Sequence, residues 1–296
     1  MRKLLLKILP SGIIELYKNY RRSLRKKRLS HLEKENRIVT QEVIENALAK
    51  NGIHQGDTVM LHSSLSKIGF VKGGAETVIQ AFLKVIGGQG TLVMPSFPAV
   101  GYNYDYLNAF PVFDIKNTPS KMGVITEVFR KMKGVKRSFH PTDSVCALGP
   151  QAEYLTSTHF GRLTPYDENS PFFKLTKLNA KIVMIGVTLD SLTNLHTLED
   201  AVPDFKFPVY HSRIFDCKLV NENNEVVFMK TKCHDPNYSK KRKCNELLPL
   251  FKSGGFLSES VLGETSMLII EAEKMHEWMI KNYREKGITM YTPKGS

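Results

Sequence analysis

The chain has 296 residues, 42% of them hydrophobic and 24% charged, the balance of a soluble globular protein with room for one large domain. No apolar run approaches the roughly 20 residues that a bilayer-spanning helix needs, and Lys7 and Pro10 break up the Leu4–Leu9 stretch, so neither a span nor a secretory signal is expected. The net charge of +13 sits mostly at one end: residues 1 to 28 hold ten Lys or Arg against Glu15, a net of +9 that leaves +4 for the rest, which speaks against a nucleic-acid-binding body.

In that N-terminal arm, Leu6, Leu9, Ile13, Leu16, Tyr17, Tyr20 and Leu24 recur at helical steps between basic residues. The pattern fits a helix on an anionic membrane surface, or one whose apolar stripe packs on the body or on another subunit. Residues 29 to 39 read as a polar connector. Thr40-Gln41-Glu42-Val43 then caps a helix running to Gly52. Thr58 to His62 reads as a buried strand, residues 75 to 86 as a helix and Thr91 to Pro95 as a second strand, an α/β alternation.

Residues 97 to 121 lack periodicity and read as a long loop or lid, a kind of segment that often lines a site. A short helix over residues 122 to 132 and a strand at Val145 to Gly149 follow. Ser170 caps a helix with Pro171 at its first position, and Ala180 to Ile185 is a strand. Phe215 to Val220 and Val226 to Met229 flank a polar turn and predict a hairpin. Leu247 to Phe251 and Ala272 to Tyr283 read as helices around a strand at Ser266 to Ile270. The expected fold is a layered α/β/α single domain, residues 39 to 296, with a mixed central sheet and a small β-hairpin extension; residues 1 to 38 form the amphipathic helical arm.

The stretch after the Ala180–Ile185 strand concentrates polar chemistry. Thr193 and His196, three residues apart, share a face if a helix begins near Thr193. That pairing serves either as a cap beside a structural imidazole or as a base held past a strand. His62-Ser63-Ser64 leaves a strand toward a glycine-bearing loop, where backbone N–H groups and hydroxyls suit phosphate oxygens or an oxyanion, although neither a Walker loop nor GxGxxG is present. Arg137-Ser138-x-His140 suits anion recognition or a solvated loop, and Glu127 is spaced to pair with Arg130. The four cysteines include no CxxC pair, as expected of reduced cytosolic thiols. Cys233, His234 and Cys244 match no common zinc spacing, and no metal is expected.

Taken in order, these pieces resemble the aminoglycoside 3-N-acetyltransferase family, which is unrelated in fold to the GNAT enzymes. The resemblance runs through Leu61-His62-Ser63-Ser64-Leu65, Gly73-Gly74, Gly90 to Pro95, Glu127 to Arg130, Gly134 to Ser138 with His140-Pro141, and Thr193-x-x-His196-x-x-Glu199. It implies acetyl-CoA as cosubstrate and direct transfer to an amine, with His196 as general base, Glu199, Asp235 or another acid as its carboxylate, and backbone N–H groups or the hydroxyl of Thr193, Ser63 or Ser64 at the oxyanion. The acyl carrier would meet His62, Ser63, Ser64, Leu65, Lys67, Gly73, Gly74, Ser96, Arg137 and Ser138; the acceptor would meet Phe97, Asp105, Glu127 and His140. With only Asp105 and Asp114 as acids in residues 97 to 121 and a mildly basic body, the expected acceptor is an amino sugar of surface-polysaccharide or glycan assembly rather than a polycationic drug. The alternatives are an antibiotic-resistance aminoglycoside acetyltransferase and a membrane-surface protein with an inactive CoA site. No nucleic-acid partner is expected; a homo-oligomer and a cytoplasmic protein touching the inner membrane face through residues 1 to 28 both fit the pattern.

Overall fold

The computed structural model describes residues 11–35 and 37–295. Twelve strands appear among them: β1 (Ile38–Val39), β2 (Thr58–Ser63), β3 (Phe70–Val71), β4 (Thr91–Pro95), β5 (Val112–Asp114), β6 (Lys136–Arg137), β7 (Val145–Leu148), β8 (Lys181–Ile185), β9 (Phe215–Val220), β10 (Val226–Thr231), β11 (Leu257–Leu262) and β12 (Thr265–Glu271). Seven of these form one sheet in the order β11-β12-β8-β2-β4-β7-β6. At its centre β8, β2 and β4 run parallel, and antiparallel pairs flank them on both sides.

The sheet is buried on both faces, and the residue alternation shows it. Val59, Leu61, Leu92, Met94, Val183 and Ile185 enter one core with Ile44, Leu48, Val78, Phe82 and Phe129. Met60, Val93, Ile182 and Met184 point the other way, against Phe172, Leu195, Leu198, Phe251 and Met275. Period-two side chains with apolar residues on both faces are why these strands read as continuous apolar runs in the sequence. The result is the α/β/α layering expected. Helix caps follow the sequence too: Thr40 Oγ1 accepts from Val43 N at 3.3 Å and Ser170 Oγ from Phe173 N at 3.1 Å.

Two segments depart from expectation. Residues 97 to 121 are not one long loop: they hold a helix at Asn103–Asn108 and β5, which pairs in parallel with β9. With the expected hairpin β9–β10 this makes a separate three-stranded sheet over its own small core of Phe113, Phe215, Leu219 and Met229. Nor is there a polar connector at residues 29 to 39. The arm helix spans Ser11–Lys34, Leu32 is buried, and β1 pairs with β3. Glu264 ties this junction down, accepting from Arg28 at 2.5 Å and from Arg37 at 3.0 Å. The arm's Leu6 and Leu9 lie outside the described residues. Among the described residues no helix is long and apolar enough to cross a membrane.

Candidate active site

The carboxyl ends of the parallel strands β2, β4 and β8 open on one edge of the sheet, the place where open α/β sheets hold ligands. A cavity of about 440 Å³ lies there; His62 and Ser63 line it from β2, Pro95 and Phe97 from β4, and Val187 from just past β8. Gly186 makes the exit from β8: its φ of 66° suits glycine, and an added Cβ would stand 2.5 Å from Lys67 Cβ.

After Gly186 the chain does not enter an α-helix at Thr193, as expected. It makes two 3₁₀ turns, Leu189–Ser191 and Thr193–His196, before an α-helix at Thr197–Ala201. Side chains three apart eclipse in a 3₁₀ turn. Leu189, Leu192, Leu195 and Leu198 therefore anchor this segment in the core at a constant three-residue step. The same step on the adjacent face carries Thr193, His196 and Glu199. His196 Nδ1 lies 3.1 Å from Glu199 Oε2, and both His196 and Thr193 line the cavity.

Glu199 stands behind the cavity wall, buried, as the hub of this cluster. Its Oε2 also lies 2.6 Å from His234 Nε2, and its Oε1 accepts from Tyr291 OH at 2.6 Å. Burial pushes its carboxyl up, but His234 and His196 outweigh that and hold it well below the usual carboxylate range. Glu199 is therefore an anion in a dry site. Burial, reinforced by the charge of Arg242, pushes His196 down to about 3, so its imidazole is neutral at neutral pH. With Glu199 taking the Nδ1 hydrogen, the lone pair of His196 is at Nε2. The two imidazoles stand 4.4 Å apart between centroids, and Tyr166 covers both, at 4.9 Å from His196 and 5.4 Å from His234. Ligand atoms of His196, Glu199 and His234 fall within 4.8 Å of one another, close enough for a shared cation, and they are joined by the hydrogen bonds just given.

Around the cavity, several buried polar atoms lack partners among the described residues. His62 Nε2, Ser63 Oγ and Arg242 Nη2 are buried without a hydrogen-bond partner, and all three residues line the cavity. Unsatisfied buried donors and acceptors are costly, and a ligand is the ordinary way to satisfy them. The cavity wall also holds two acids, Asp143 and Asp190. Asp143 accepts from Tyr166 OH at 2.9 Å, Thr142 Oγ1 at 2.6 Å and Asn103 Nδ2 at 3.0 Å. So the site does have acidic residues; they come from beyond the 97 to 121 segment searched in the sequence.

Several residues expected at the site are elsewhere or otherwise engaged. Asp235 is not a partner of His196: its carboxylate accepts from Asn237 N at 2.7 Å and caps the turn that starts at Pro236. Arg137 does not face a phosphate. Its guanidinium is buried and donates to the carbonyls of Thr118 at 2.5 Å and Ser96 at 2.6 Å. Ser138 is buried between His159 Nδ1 at 3.0 Å and Val145 N at 2.9 Å. His140 stacks on His159 at 4.4 Å with no exposure, and Ser96 is equally buried.

Glu127 pairs with Arg130 at 2.8 Å, which holds its carboxyl down to about 2, and it lines a different depression. Asp105 is exposed on the Asn103–Asn108 helix, outside the cavity lining. Ser64 Oγ turns to Ser66 Oγ at 3.2 Å, Leu65 packs on the core, and Lys67 is exposed. Gly73 and Gly74 form a left-handed turn; a Cβ at Gly73 would meet Thr77 Oγ1 at 2.3 Å. None of Ser64, Leu65, Lys67, Gly73 and Gly74 lines the cavity. Conversely, Tyr291, Tyr166, Asp143 and Arg242 escaped the sequence reading, and His234 entered it only as a weak zinc ligand.

The sequence model of the family described as aminoglycoside 3-N-acetyltransferase matches residues 60–284. Aminoglycoside N(3)-acetyltransferase III from Salmonella sp is 32% identical over 211 residues, covering 67% of this chain and 72% of that protein. The crystal structure of aminoglycoside acetyltransferase AAC(3)-Xa superposes with a TM-score of 0.72 at 26% identity, covering 88% of this chain and 98% of that one. AAC-IIIb in its binary complex with CoASH shares the fold, with a TM-score of 0.71 at 22% identity over 84% of this chain and 97% of that one. The chain belongs to the aminoglycoside 3-N-acetyltransferase family.

Proposed function

We propose that this protein transfers the acetyl group of acetyl-CoA to an amine of an amino sugar, with the aminoglycosides named in its relatives as the first acceptor class to test. The relatives' names speak for a drug acceptor rather than for a surface-polysaccharide setting. Asp143 and Asp190 on the cavity wall suit an ammonium-bearing ligand, against the expectation drawn from the basic body.

The observation that carries the mechanism is the His196–Glu199 pair, a neutral imidazole on the cavity wall whose other nitrogen is held by a buried anion. Acetyl-CoA supplies the activated acyl group. As the acceptor nitrogen bonds to the acyl carbon, His196 Nε2 takes its proton, and Glu199 balances the imidazolium that forms. Ser63 Oγ, without a partner on the protein, donates to the acyl oxygen as it gains charge. Cleavage of the C–S bond releases the thiolate, and His196 returns the proton to it.

A free-thiol release assay tests the reading: acetyl-CoA with UDP-, dTDP- and GDP-amino sugars and an aminoglycoside as acceptors. Acceptor-dependent thiol with a mass gain of one acetyl group supports it; no acceptor-dependent release across the panel sinks it.

A further inference from the structure

One wall of the cavity carries a charge that neither the base nor the acidic residues explain. Ser239, Arg242 and Cys244 line it, and the run between them is Lys240-Lys241-Arg242-Lys243. The segment is fixed at both ends: the turn at Pro236–Ser239 precedes it, and Lys243 N donates to Met290 O at 2.7 Å.

Arg242 is the residue that turns inward. Its Nε reaches Tyr291 OH at a long 3.5 Å, and its Nη2 is buried without a partner. Among the described residues it forms no ion pair. The acids close by are committed elsewhere: Asp190 Oδ2 accepts from Asn245 Nδ2 at 2.7 Å, and Glu199 is shared by His196, His234 and Tyr291. Lys240, Lys241 and Lys243 are exposed beside it. Lys240 Nζ rests on Asn237 Oδ1 at 2.9 Å, Lys241 Nζ lies 4.5 Å above the Tyr238 ring, and none of the three is paired with a carboxylate.

A guanidinium whose buried Nη2 lacks a partner is costly unless an anion completes it. Its planar donors suit two phosphate oxygens at once. The exposed lysines on either side of it in the chain add attraction for a multiply charged anion.

We propose that Arg242, with Lys240, Lys241 and Lys243 around it, is a phosphate subsite of this cavity that holds the diphosphate of a bound substrate. That chemistry belongs to an amino sugar joined to a nucleoside diphosphate: Arg242 connects to Glu199, and so to His196, through Tyr291 alone, whereas the pantetheine arm sets the diphosphate of CoA far from the thioester that must meet His196. This occupant rests on the acetyl-transfer reading and narrows its acceptor class; the subsite itself does not depend on that reading.

Calorimetric titration of inorganic pyrophosphate, CoA and uridine diphosphate into the wild-type protein and the Arg242→Gln and Arg242→Lys variants tests it. Pyrophosphate is expected to bind the wild type and to weaken about tenfold to a hundredfold in Arg242→Gln, with partial recovery in Arg242→Lys. If CoA weakens and uridine diphosphate does not, the phosphates are those of CoA and the acceptor assignment is overturned. If CoA binding holds while uridine diphosphate binding is lost, they belong to the acceptor.

The double variant Lys241→Ala/Lys243→Ala, altered only at exposed positions, covers the case in which Arg242→Gln does not fold; it is expected to bind pyrophosphate more weakly and with a shallower salt dependence. A wild type that binds none of the three ligands, or a folded Arg242→Gln that binds all three as the wild type does, overturns the proposal. Failure of the thiol-release assay with pyrophosphate binding intact would remove the acetyltransferase reading and leave the subsite standing.

Discussion

Glu199 and Tyr291 meet through a 2.6 Å hydrogen bond across 92 residues of chain. Tyr291 donates to Oε1, which leaves Oε2 to face His196 and His234. The carboxylate is thus fixed in rotation by one partner while it orients the others.

Glu199→Gln tests that orientation. The amide keeps the shape but removes the anion and offers an N–H where an acceptor was needed. The expected outcome is a fall in kcat on the order of 10²-fold or more with little change in KM for either substrate. The pH profile should change with it, since a neutral neighbour no longer favours the imidazolium. Equal losses in kcat and in thermal stability, with an unchanged pH profile, would reduce Glu199 to a structural role.

Ser63→Ala removes a buried hydroxyl that has no partner among the described residues. Loss of one oxyanion donor typically costs about 3 to 4 kcal/mol. Steady-state kinetics should show a matching drop in kcat, and calorimetry should show CoA binding within a few-fold of the wild type. An unchanged kcat would assign the acyl oxygen to another donor.

Stability should fall as pH drops below the imidazole range. Burial pushes His62 to about 4, His159 to about 3, His196 to about 3 and His276 to about 4, from an ordinary 6.5. Below 6.5 the unfolded chain takes up these protons and the folded one does not, so stability is lost progressively as pH falls toward the folded values. Asp200, raised by burial to about 6, and Asp143, also raised by burial, act in the opposite direction. His140, also pushed down by burial, and Asp167, also raised by it, make the balance five imidazoles against three acids, a net loss. Urea midpoints should decline between pH 7 and 5; a flat or rising midpoint across that range would contradict the account.

The arm carries a prediction of its own. Ile13, Leu16, Tyr20 and Leu24 are exposed on the Ser11–Lys34 helix, with Leu16 at 71%. At 100° per residue they fall in one stripe, about a quarter turn or more away from the buried Leu32 that faces the body. We propose that this stripe and the +9 of residues 1 to 28 hold the protein on anionic membranes. Sedimentation with vesicles containing phosphatidylglycerol should carry down the full chain, and Leu16→Glu should weaken that binding. Equal recovery of the full chain on anionic and neutral vesicles, or of Leu16→Glu and the wild type on anionic ones, would contradict it.

The central sheet could be read from sequence because two-sided burial writes each strand as an apolar run between glycines and prolines, as at Thr91–Pro95. β5 could not, because its three residues become a strand only by pairing with β9, about a hundred positions later. Edge strand β11, buried only at its two ends, gives an equally weak signal. At the site, Thr193, His196 and Glu199 were legible because they share one short segment with a constant three-residue step. His234 and Tyr291 were not, since they reach Glu199 from 35 and 92 residues away. Arg137, Ser138 and His140 misled for the opposite reason: their polar chemistry is spent inside the fold, on carbonyls and on His159. A charged motif carries no mark of whether its donors face solvent or the chain itself.

Two histidines share Glu199, and both line the cavity. Acetyl transfer by His196→Ala and His234→Ala, each measured as thiol release at saturating acetyl-CoA beside a calorimetric CoA titration, is the most direct test of which one is the base. The account predicts that His196→Ala binds CoA normally and loses turnover by about 10²-fold to 10⁴-fold, with a smaller loss in His234→Ala. Full turnover in His196→Ala, or the larger loss in His234→Ala, would contradict it.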